Sequence, residues 1–163
     1  LYTAFELHRP YAIRYPRGSA VFYENDSLNL IETGTWTVLG NLDVVDLVVI
    51  AYGPDVDKIK IKAESNGINI AVINARFFKP LDDNMLNRLV HLNKPVIVYE
   101  TDMLSGGLGS AILEWLNQHN LNLNIKRIGI EDHFVTHGSL PELRKYENID
   151  INSLFSLIKS LIG

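Results

Sequence analysis

Two arginines near the start of the chain have the type and spacing to bind an anion. The segment reads Arg14-Tyr15-Pro16-Arg17-Gly18, so two guanidinium groups flank a proline that fixes the backbone between them. A guanidinium presents paired N–H donors that match a phosphate or a carboxylate group. The residues alone support two interpretations equally, namely an anion-binding pair and a solvated turn with two exposed cations.

A glycine-rich turn, Ser105 to Ser110, is a second candidate anion site. It lies between the apolar, β-branched run Val96–Tyr99 and a stretch of helical spacing, and the N–H groups that begin a helix can bind phosphate. The turn lacks both the G-x-G-x-x-G spacing of a dinucleotide site and the Gly-Lys-Ser/Thr of a phosphate-binding loop. We therefore favour a packing role, in which the glycines permit positive φ and a close approach of helix and strand.

Carboxylates and histidines supply the remaining candidates. Glu100 and Asp102 alternate along a strand and could act as an acid–base pair or bind a metal, but a pair that ends a strand is more often capping or solvated. His133 and His137 are four residues apart, as in some zinc sites, yet Gly138 favours a loop and no third ligand is evident. The chain has no cysteine, which excludes disulfides and thiolate chemistry.

The composition is that of an ordinary globular protein. Of 163 residues, 47% are hydrophobic and 21% are charged, and the net charge is −4. The negative charge argues against a general nucleic-acid-binding protein. No apolar run approaches the roughly 20 residues that a membrane-spanning helix needs. We therefore expect a cytoplasmic protein that binds neither nucleic acid nor membrane.

Strand and helix patterns alternate along most of the chain, and these elements must position the candidate residues. A first helix is expected to end before Pro10. The alternation predicts an α/β fold with three layers, in which a mostly parallel sheet carries helices on both faces. Strands are predicted at 11–15, 35–39, 44–52, 68–74, 96–99 and 123–130, and helices at 55–65, 82–92, 111–116, 140–146 and 151–162.

Residues 19–33 are polar, acidic and poorly periodic, and they are predicted to be a linker. Residues 1–18 would then end one domain, and residues 34–163 would form a second. The chain begins at Leu1, inside a helical pattern and without a methionine, so we expect a fragment of a longer protein.

Four motifs, in order along the chain, resemble 1-deoxy-D-xylulose-5-phosphate synthase, a family of transketolase-like enzymes. They are AIRYPRG at 12–18, NARFFKPLD at 74–82, the stretch from Tyr99-Glu100 through the glycine-rich turn, and NIKRIGIEDHFVTHG at 124–138. The resemblance implies a transferase that uses thiamine diphosphate and Mg²⁺. Such an enzyme condenses pyruvate with glyceraldehyde 3-phosphate, with loss of carbon dioxide, to give a precursor of isoprenoids, thiamine and pyridoxal.

The resemblance also implies where the parts of such an enzyme lie. Residues 1–18 would end its pyrimidine-binding domain, and residues 34–163 would form its transketolase-like C-terminal domain. The family's cofactor, metal and catalytic residues lie upstream of Leu1, so none is expected in this chain, and the fragment is expected to be inactive. The one substrate-binding residue of the family that has a counterpart in this chain is Arg17, which is expected to bind the acceptor's phosphate. A homodimer, completed by the N-terminal domains of the same protein, is implied as well.

Two other functions remain open. The β subunit of a 2-oxoacid dehydrogenase shares the C-terminal domain, although the segment 14–18 together with His137-Gly138 favours the synthase. A stand-alone, non-catalytic interaction module on the same fold is the second alternative, and the start within a helical pattern argues against it.

Overall fold

A computed structural model describes residues 1–16 and 27–163 of the chain. In this part of the chain, five strands form one sheet: β1 (Thr37–Leu39), β2 (Leu47–Ala51), β3 (Ile70–Asn74), β4 (Val96–Met103) and β5 (Ile125–Ile130). The helices of the same part are α1 (Tyr2–Glu6), α2 (Asp55–Ser65), α3 (Asp83–Leu92), α4 (Leu108–Gln118), α5 (Leu140–Tyr146) and α6 (Ile151–Ile162), together with a short 3₁₀ helix, Leu42–Val44.

The strand order is β1-β3-β2-β4-β5. Strand β1 runs antiparallel to β3, and every other neighbouring pair is parallel. At the centre, Val49 of β2 lies between Val72 of β3 and Ile97 of β4. All five residues of β2 are buried, as expected of a parallel strand covered on both faces. The prediction of a mostly parallel α/β sheet is therefore confirmed.

Alternate side chains of β2 enter two separate cores. Val48 and Ile50 pack on the side of α3 and α4, whereas Leu47 and Val49 pack on the side of α2 and α6. This period of two follows from the pleat of a strand. The helices supply matching apolar stripes, and the predicted three-layer architecture results. The principal helical contributors are Leu86, Leu89, Ile112, Trp115 and Leu116 to the first core, and Val56, Ile59, Leu154, Phe155 and Ile158 to the second.

Capping residues fix where the helices begin and end. The Asp82 carboxylate accepts hydrogen bonds from the N–H groups of Met85 (2.9 Å) and Trp36 (2.7 Å), so it begins α3 and also ties the start of β1 to it. Asn93 ends α3 in the left-handed conformation, with φ of 50°. Among the described residues, no helix is both long enough and apolar enough to cross a membrane.

One strand prediction was wrong, and another was wrong in its bounds. Residues 11–15 form no strand, because none of the sheet's strands pairs with them. Strand β2 begins at Leu47 rather than at residue 44, because Asn41 accepts a hydrogen bond from Asp43 N–H and starts the 3₁₀ helix instead. The predicted linker is described from residue 27 onward. There, Ile31 N–H donates to Thr3 Oγ1 (2.9 Å), which joins this segment to α1.

Candidate functional site

Four side chains meet at the carboxyl edge of the sheet, beside the segment of residues 11–16. Tyr52 follows β2, Phe78 lies in the connection after β3, and Asp102 is near the end of β4. Arg14 reaches them from the segment 11–16. The carboxyl ends of adjacent parallel strands meet at one edge of a sheet, which is where open α/β sheets usually bind ligands.

Arg14 is held by a carboxylate and by an aromatic ring. Its Nη2 atom lies 3.1 Å from Oδ1 and 3.0 Å from Oδ2 of Asp102. The guanidinium carbon lies 5.7 Å from the centre of the Phe78 ring, within the range of a cation–π interaction. The Arg14 side chain is 69% exposed and that of Asp102 is 40% exposed, so the pair stands at the surface. The Asp102 carboxylate is already bound to the Arg14 guanidinium. This contact argues against the anion-binding role that the sequence suggested for Arg14.

Tyr52 fixes the orientation of the Asp102 carboxylate. The Tyr52 hydroxyl donates to Asp102 Oδ2 at 2.7 Å and accepts from Thr101 N–H at 3.2 Å. Burial raises the pKa of the Tyr52 hydroxyl above its ordinary value, and the bond to Asp102 raises it further. The hydroxyl therefore remains a donor at neutral pH. The Phe78 ring packs edge-on against Tyr52, with centroids 4.7 Å apart.

Glu100, two residues before Asp102, caps helix α4. Its carboxylate accepts hydrogen bonds from Leu108 N–H (2.6 Å) and Gly109 N–H (3.0 Å), and the residue is only 1% exposed. Burial raises the pKa of Glu100 above its ordinary value, although the two N–H donors and Arg127 act in the opposite direction. The protein's own carboxylate thus takes the place that a phosphate would occupy at this helix N-terminus. The glycine-rich turn is a structural device, as the sequence analysis favoured.

The glycines of this turn serve two different purposes. Gly106 has φ of 73°, the left-handed conformation that glycine adopts readily. Gly107 has a negative φ, but a β-carbon there would overlap Glu100 Oε2 and lie 2.5 Å from the carbonyl oxygen of Met103. A β-carbon at Gly109 would lie 2.5 Å from Arg127 Cδ and 2.9 Å from Glu100 Oε1. The expected positive φ is therefore found at Gly106, whereas Gly107 and Gly109 are needed for a close approach to Glu100.

A pocket of about 390 Å³ lies between the Arg14–Asp102 pair and the glycine-rich turn. Its walls include Phe78 and Glu100 from the sheet edge and Ser105 from the turn. The pocket is next to the segment that leads along the chain into the predicted phosphate-binding residue. Arg17 itself lies outside the described residues.

The histidines do not form a metal site in the described part of the chain. His133 Nε2 lies 2.9 Å from a carboxylate oxygen of Glu147, and His137 is exposed in the loop after β5. Residues 1–16 and 27–163 contain no group of three or more His, Asp or Glu residues placed to hold a metal ion. His133 and His137 thus both lie at the surface, and His133 contacts Glu147.

Sequence reasoning did not identify Tyr52 or Phe78 as members of this site. Tyr52 ends the predicted strand 44–52 and precedes Gly53-Pro54, and Phe78 follows the predicted strand 68–74 and precedes Lys79-Pro80. A residue between a strand and a proline turn is a usable signal for the carboxyl edge. The proximity of Tyr52 and Phe78 depends on β2 being the neighbour of both β3 and β4, and that order is a property of the assembled sheet.

Comparison with protein families and curated proteins identifies clear relatives. The model of the transketolase C-terminal domain family matches residues 42–154. The 1-deoxy-D-xylulose-5-phosphate synthases of Listeria welshimeri and Macrococcus caseolyticus are 34% and 39% identical to the chain over 99% of its length. That of Aquifex aeolicus is 33% identical over 99%. In each case the match covers 26% of the relative, so the chain spans about a quarter of the length of these proteins.

Solved structures show the same architecture. A split-gene transketolase, described as an inactive beta4 tetramer, matches with a TM-score of 0.70 and 25% identity over 89% of this chain and 47% of its own. A 2-oxoglutarate:ferredoxin oxidoreductase from Magnetococcus marinus matches with a TM-score of 0.55 and 15% identity over 87% of this chain and 20% of its own, which bears on the fold alone.

Proposed function

The chain belongs to the transketolase C-terminal domain family, and we propose that it is the C-terminal part of a thiamine diphosphate-dependent 1-deoxy-D-xylulose-5-phosphate synthase. One observation carries this proposal. The family model begins at residue 42, but the similarity to the synthases covers 99% of the chain and so includes the segment around Arg14 and Arg17. A general transketolase-like domain would account for the first match and not for the second.

The described residues do not fit thiamine diphosphate or its metal ion. The helix N-terminus at the glycine-rich turn, which was the candidate phosphate site of the sequence, is filled by Glu100, and the described residues bring no metal-binding group together. We therefore derive no catalytic step within this chain. The cofactor and Mg²⁺ are proposed to bind the remainder of the longer polypeptide, which we expect to be a homodimer. Sedimentation of the complete polypeptide tests the dimer.

The chain's proposed contribution to the reaction is recognition of the acceptor substrate. Glyceraldehyde 3-phosphate carries a dianionic phosphate, and pyruvate carries only a carboxylate. Arg14 is engaged by Asp102, and the family resemblance assigns the phosphate to Arg17. A guanidinium binds phosphate through paired, charge-assisted hydrogen bonds.

The direct test is an activity assay on the complete polypeptide with thiamine diphosphate, Mg²⁺, pyruvate and glyceraldehyde 3-phosphate. We expect formation of 1-deoxy-D-xylulose 5-phosphate with release of one carbon dioxide per product. Acyl transfer from pyruvate to a lipoyl group would indicate the 2-oxoacid dehydrogenase alternative. Absence of any carboligation or decarboxylation would favour the non-catalytic module.

A further inference from the structure

We propose that the loop after β5 and helix α5 form a docking surface for the upstream part of the complete polypeptide, and that Phe134 is its central anchor. The loop spans residues 131–139 and leads directly into α5 (Leu140–Tyr146). Together they are named the α5 surface. The inference rests on the proposed function for one point only, namely that the complete polypeptide contains an upstream part.

The α5 surface is left uncovered by the rest of the described chain. Every residue from 131 to 142 is exposed, and α5 contains no buried residue. The Phe134 side chain is 101% exposed, more than any other large apolar side chain of residues 1–16 and 27–163, and Leu140 and Tyr146 of α5 are exposed as well. A single exposed apolar side chain is ordinary, whereas several on one surface mark an interaction site.

Contacts beneath the loop hold it in place. His133 Nε2 lies 2.9 Å from a carboxylate oxygen of Glu147, whose side chain is almost fully buried. A β-carbon at Gly138 would lie 3.1 Å from Leu143 Cδ2, so this end of the loop lies directly on α5. The loop is therefore anchored on both sides of Phe134. Because the ring is presented on a held base, its docking would lose less conformational entropy than that of a free loop.

The side chains of the α5 surface indicate the chemistry of the surface that it meets. A phenyl ring contributes most when it fills an apolar recess and leaves water. Glu131 and Asp132, both exposed, place two carboxylates close to Phe134 along the chain. Opposite charges favour the encounter of two surfaces. The expected receptor is therefore an apolar recess with lysine or arginine side chains at its rim.

The position of the α5 surface in the fold favours the upstream part as its occupant. Strand β5 runs parallel to β4, so the loop begins at the carboxyl edge of the sheet. Residues 11–16 lie at the same edge, where Arg14 contacts Asp102 of β4, and the upstream part precedes them along the polypeptide. The chain spans 26% of the matched synthases, so about three quarters of a polypeptide of that kind is available to cover this edge. A second copy of this chain is the alternative occupant.

The first test compares protease access in two wild-type proteins and needs no substitution. Chymotrypsin cleaves after aromatic residues, and it should cut rapidly after the exposed Phe134 in the 163-residue chain. In the complete polypeptide the same bond should be cut about tenfold more slowly or less, the effect of about 1.4 kcal/mol of docking free energy. A synthetic peptide of residues 131–139, added to both digests, corrects for protease activity. Mass spectrometry measures the rates at low and at high protein concentration.

The second test is hydrogen exchange of the α5 backbone amides. In the 163-residue chain these amides should exchange fast, because a short helix with no buried residue opens easily. They should be protected about tenfold or more in the complete polypeptide, and Phe134→Ala should remove that protection. The matched control is Leu113→Ala, since Leu113 is an exposed apolar residue of α4, on the other face of the sheet from α2 and α6. The control should leave α5 protected.

The outcomes separate this inference from the proposed function. An active synthase that is cut after Phe134 as fast as the 163-residue chain would overturn the docking surface and leave the proposed function intact. A complete polypeptide that protects Phe134 but forms no 1-deoxy-D-xylulose 5-phosphate would overturn the proposed function and support the docking surface. Protection that develops in the 163-residue chain as its concentration rises would identify a second copy as the occupant, and the assignment to the upstream part would be wrong.

Discussion

Replacement of Glu100 by glutamine should destabilise the chain by about 2–3 kcal/mol, because this side chain is the internal anion of the glycine-rich turn. The carboxylate accepts two short hydrogen bonds from backbone N–H groups in a buried position. Glutamine keeps one oxygen and turns the other acceptor into a donor. One hydrogen bond to a charged group, about 1.5–3 kcal/mol, is then lost, and one buried N–H is left unpaired at a further cost of about 1–3 kcal/mol.

Loss of the buried charge offsets part of this destabilisation. Glutamine carries no charge, so the variant avoids the burial cost that raises the pKa of Glu100. The net loss of about 2–3 kcal/mol should lower the melting temperature by roughly 5–10 °C for a domain of this size. Urea denaturation followed by circular dichroism, together with a thermal scan, measures both quantities.

The control for this experiment is Glu114→Gln, on the exposed side of the same helix α4. It should stay within about 0.5 kcal/mol of wild type, as substitutions on an open surface usually do. A Glu100→Gln variant as stable as wild type would refute the capping role. The helix N-terminus would then again be a candidate site for an external phosphate.

Three further predictions concern the turn, helix α6 and the cofactor. Gly107→Ala should cost more stability than Gly106→Ala in urea denaturation, because its methyl group meets Glu100 and the Met103 carbonyl, whereas Gly106→Ala meets only backbone strain of about 1 kcal/mol. Asp150→Ala should cost about 1 kcal/mol at neutral pH, because Asp150 accepts the first N–H groups of α6. The hydrogen bond from the Ser153 hydroxyl, with those from the backbone N–H groups, holds the pKa of Asp150 below its ordinary value of 3.8. The stabilisation is therefore complete above that value and is lost as the pH falls through the folded-state pKa, so denaturation at pH 7 and in acid should show the difference from wild type shrinking. Calorimetric titration of the 163-residue chain with thiamine diphosphate and Mg²⁺ should show no binding, and saturable binding at micromolar concentration would contradict the account.

The sheet and its two helical layers could be predicted because the pattern of apolar residues is governed by local geometry. The apolar run of β2 indicates a strand covered on both faces, and Asp82 and Asn93 mark the ends of α3 by their capping chemistry. The strand expected at 11–15 shows the limit of such reasoning. Its residues favour extended backbone, but a strand also needs a hydrogen-bonded neighbour, and residues 11–15 pair with none of the five strands.

The site could be predicted only in part, because its members are brought together by strand order. Glu100 was identified as a residue that caps or is solvated, and only the fold shows that the turn at Gly106 brings α4 onto it. Asp102 was identified as half of a carboxylate pair, yet its partners are Arg14 and Tyr52, which are distant from it in sequence. A hydrogen bond between residues so far apart in sequence produces no periodic pattern from which it could be predicted.

The proposed function requires that this chain supplies the arginine that binds the acceptor's phosphate in a 1-deoxy-D-xylulose-5-phosphate synthase. Its most direct test is the Arg17→Ala substitution in the complete polypeptide, with Michaelis constants measured separately for the two substrates. Loss of a charge-assisted hydrogen bond worth about 1.5–3 kcal/mol predicts a rise of roughly 10- to 150-fold for glyceraldehyde 3-phosphate. The constant for pyruvate and the thermal stability should hardly change, and Arg17→Lys should recover only part of the loss. An equal rise in both Michaelis constants, or no rise in either, would mean that Arg17 does not bind the acceptor's phosphate.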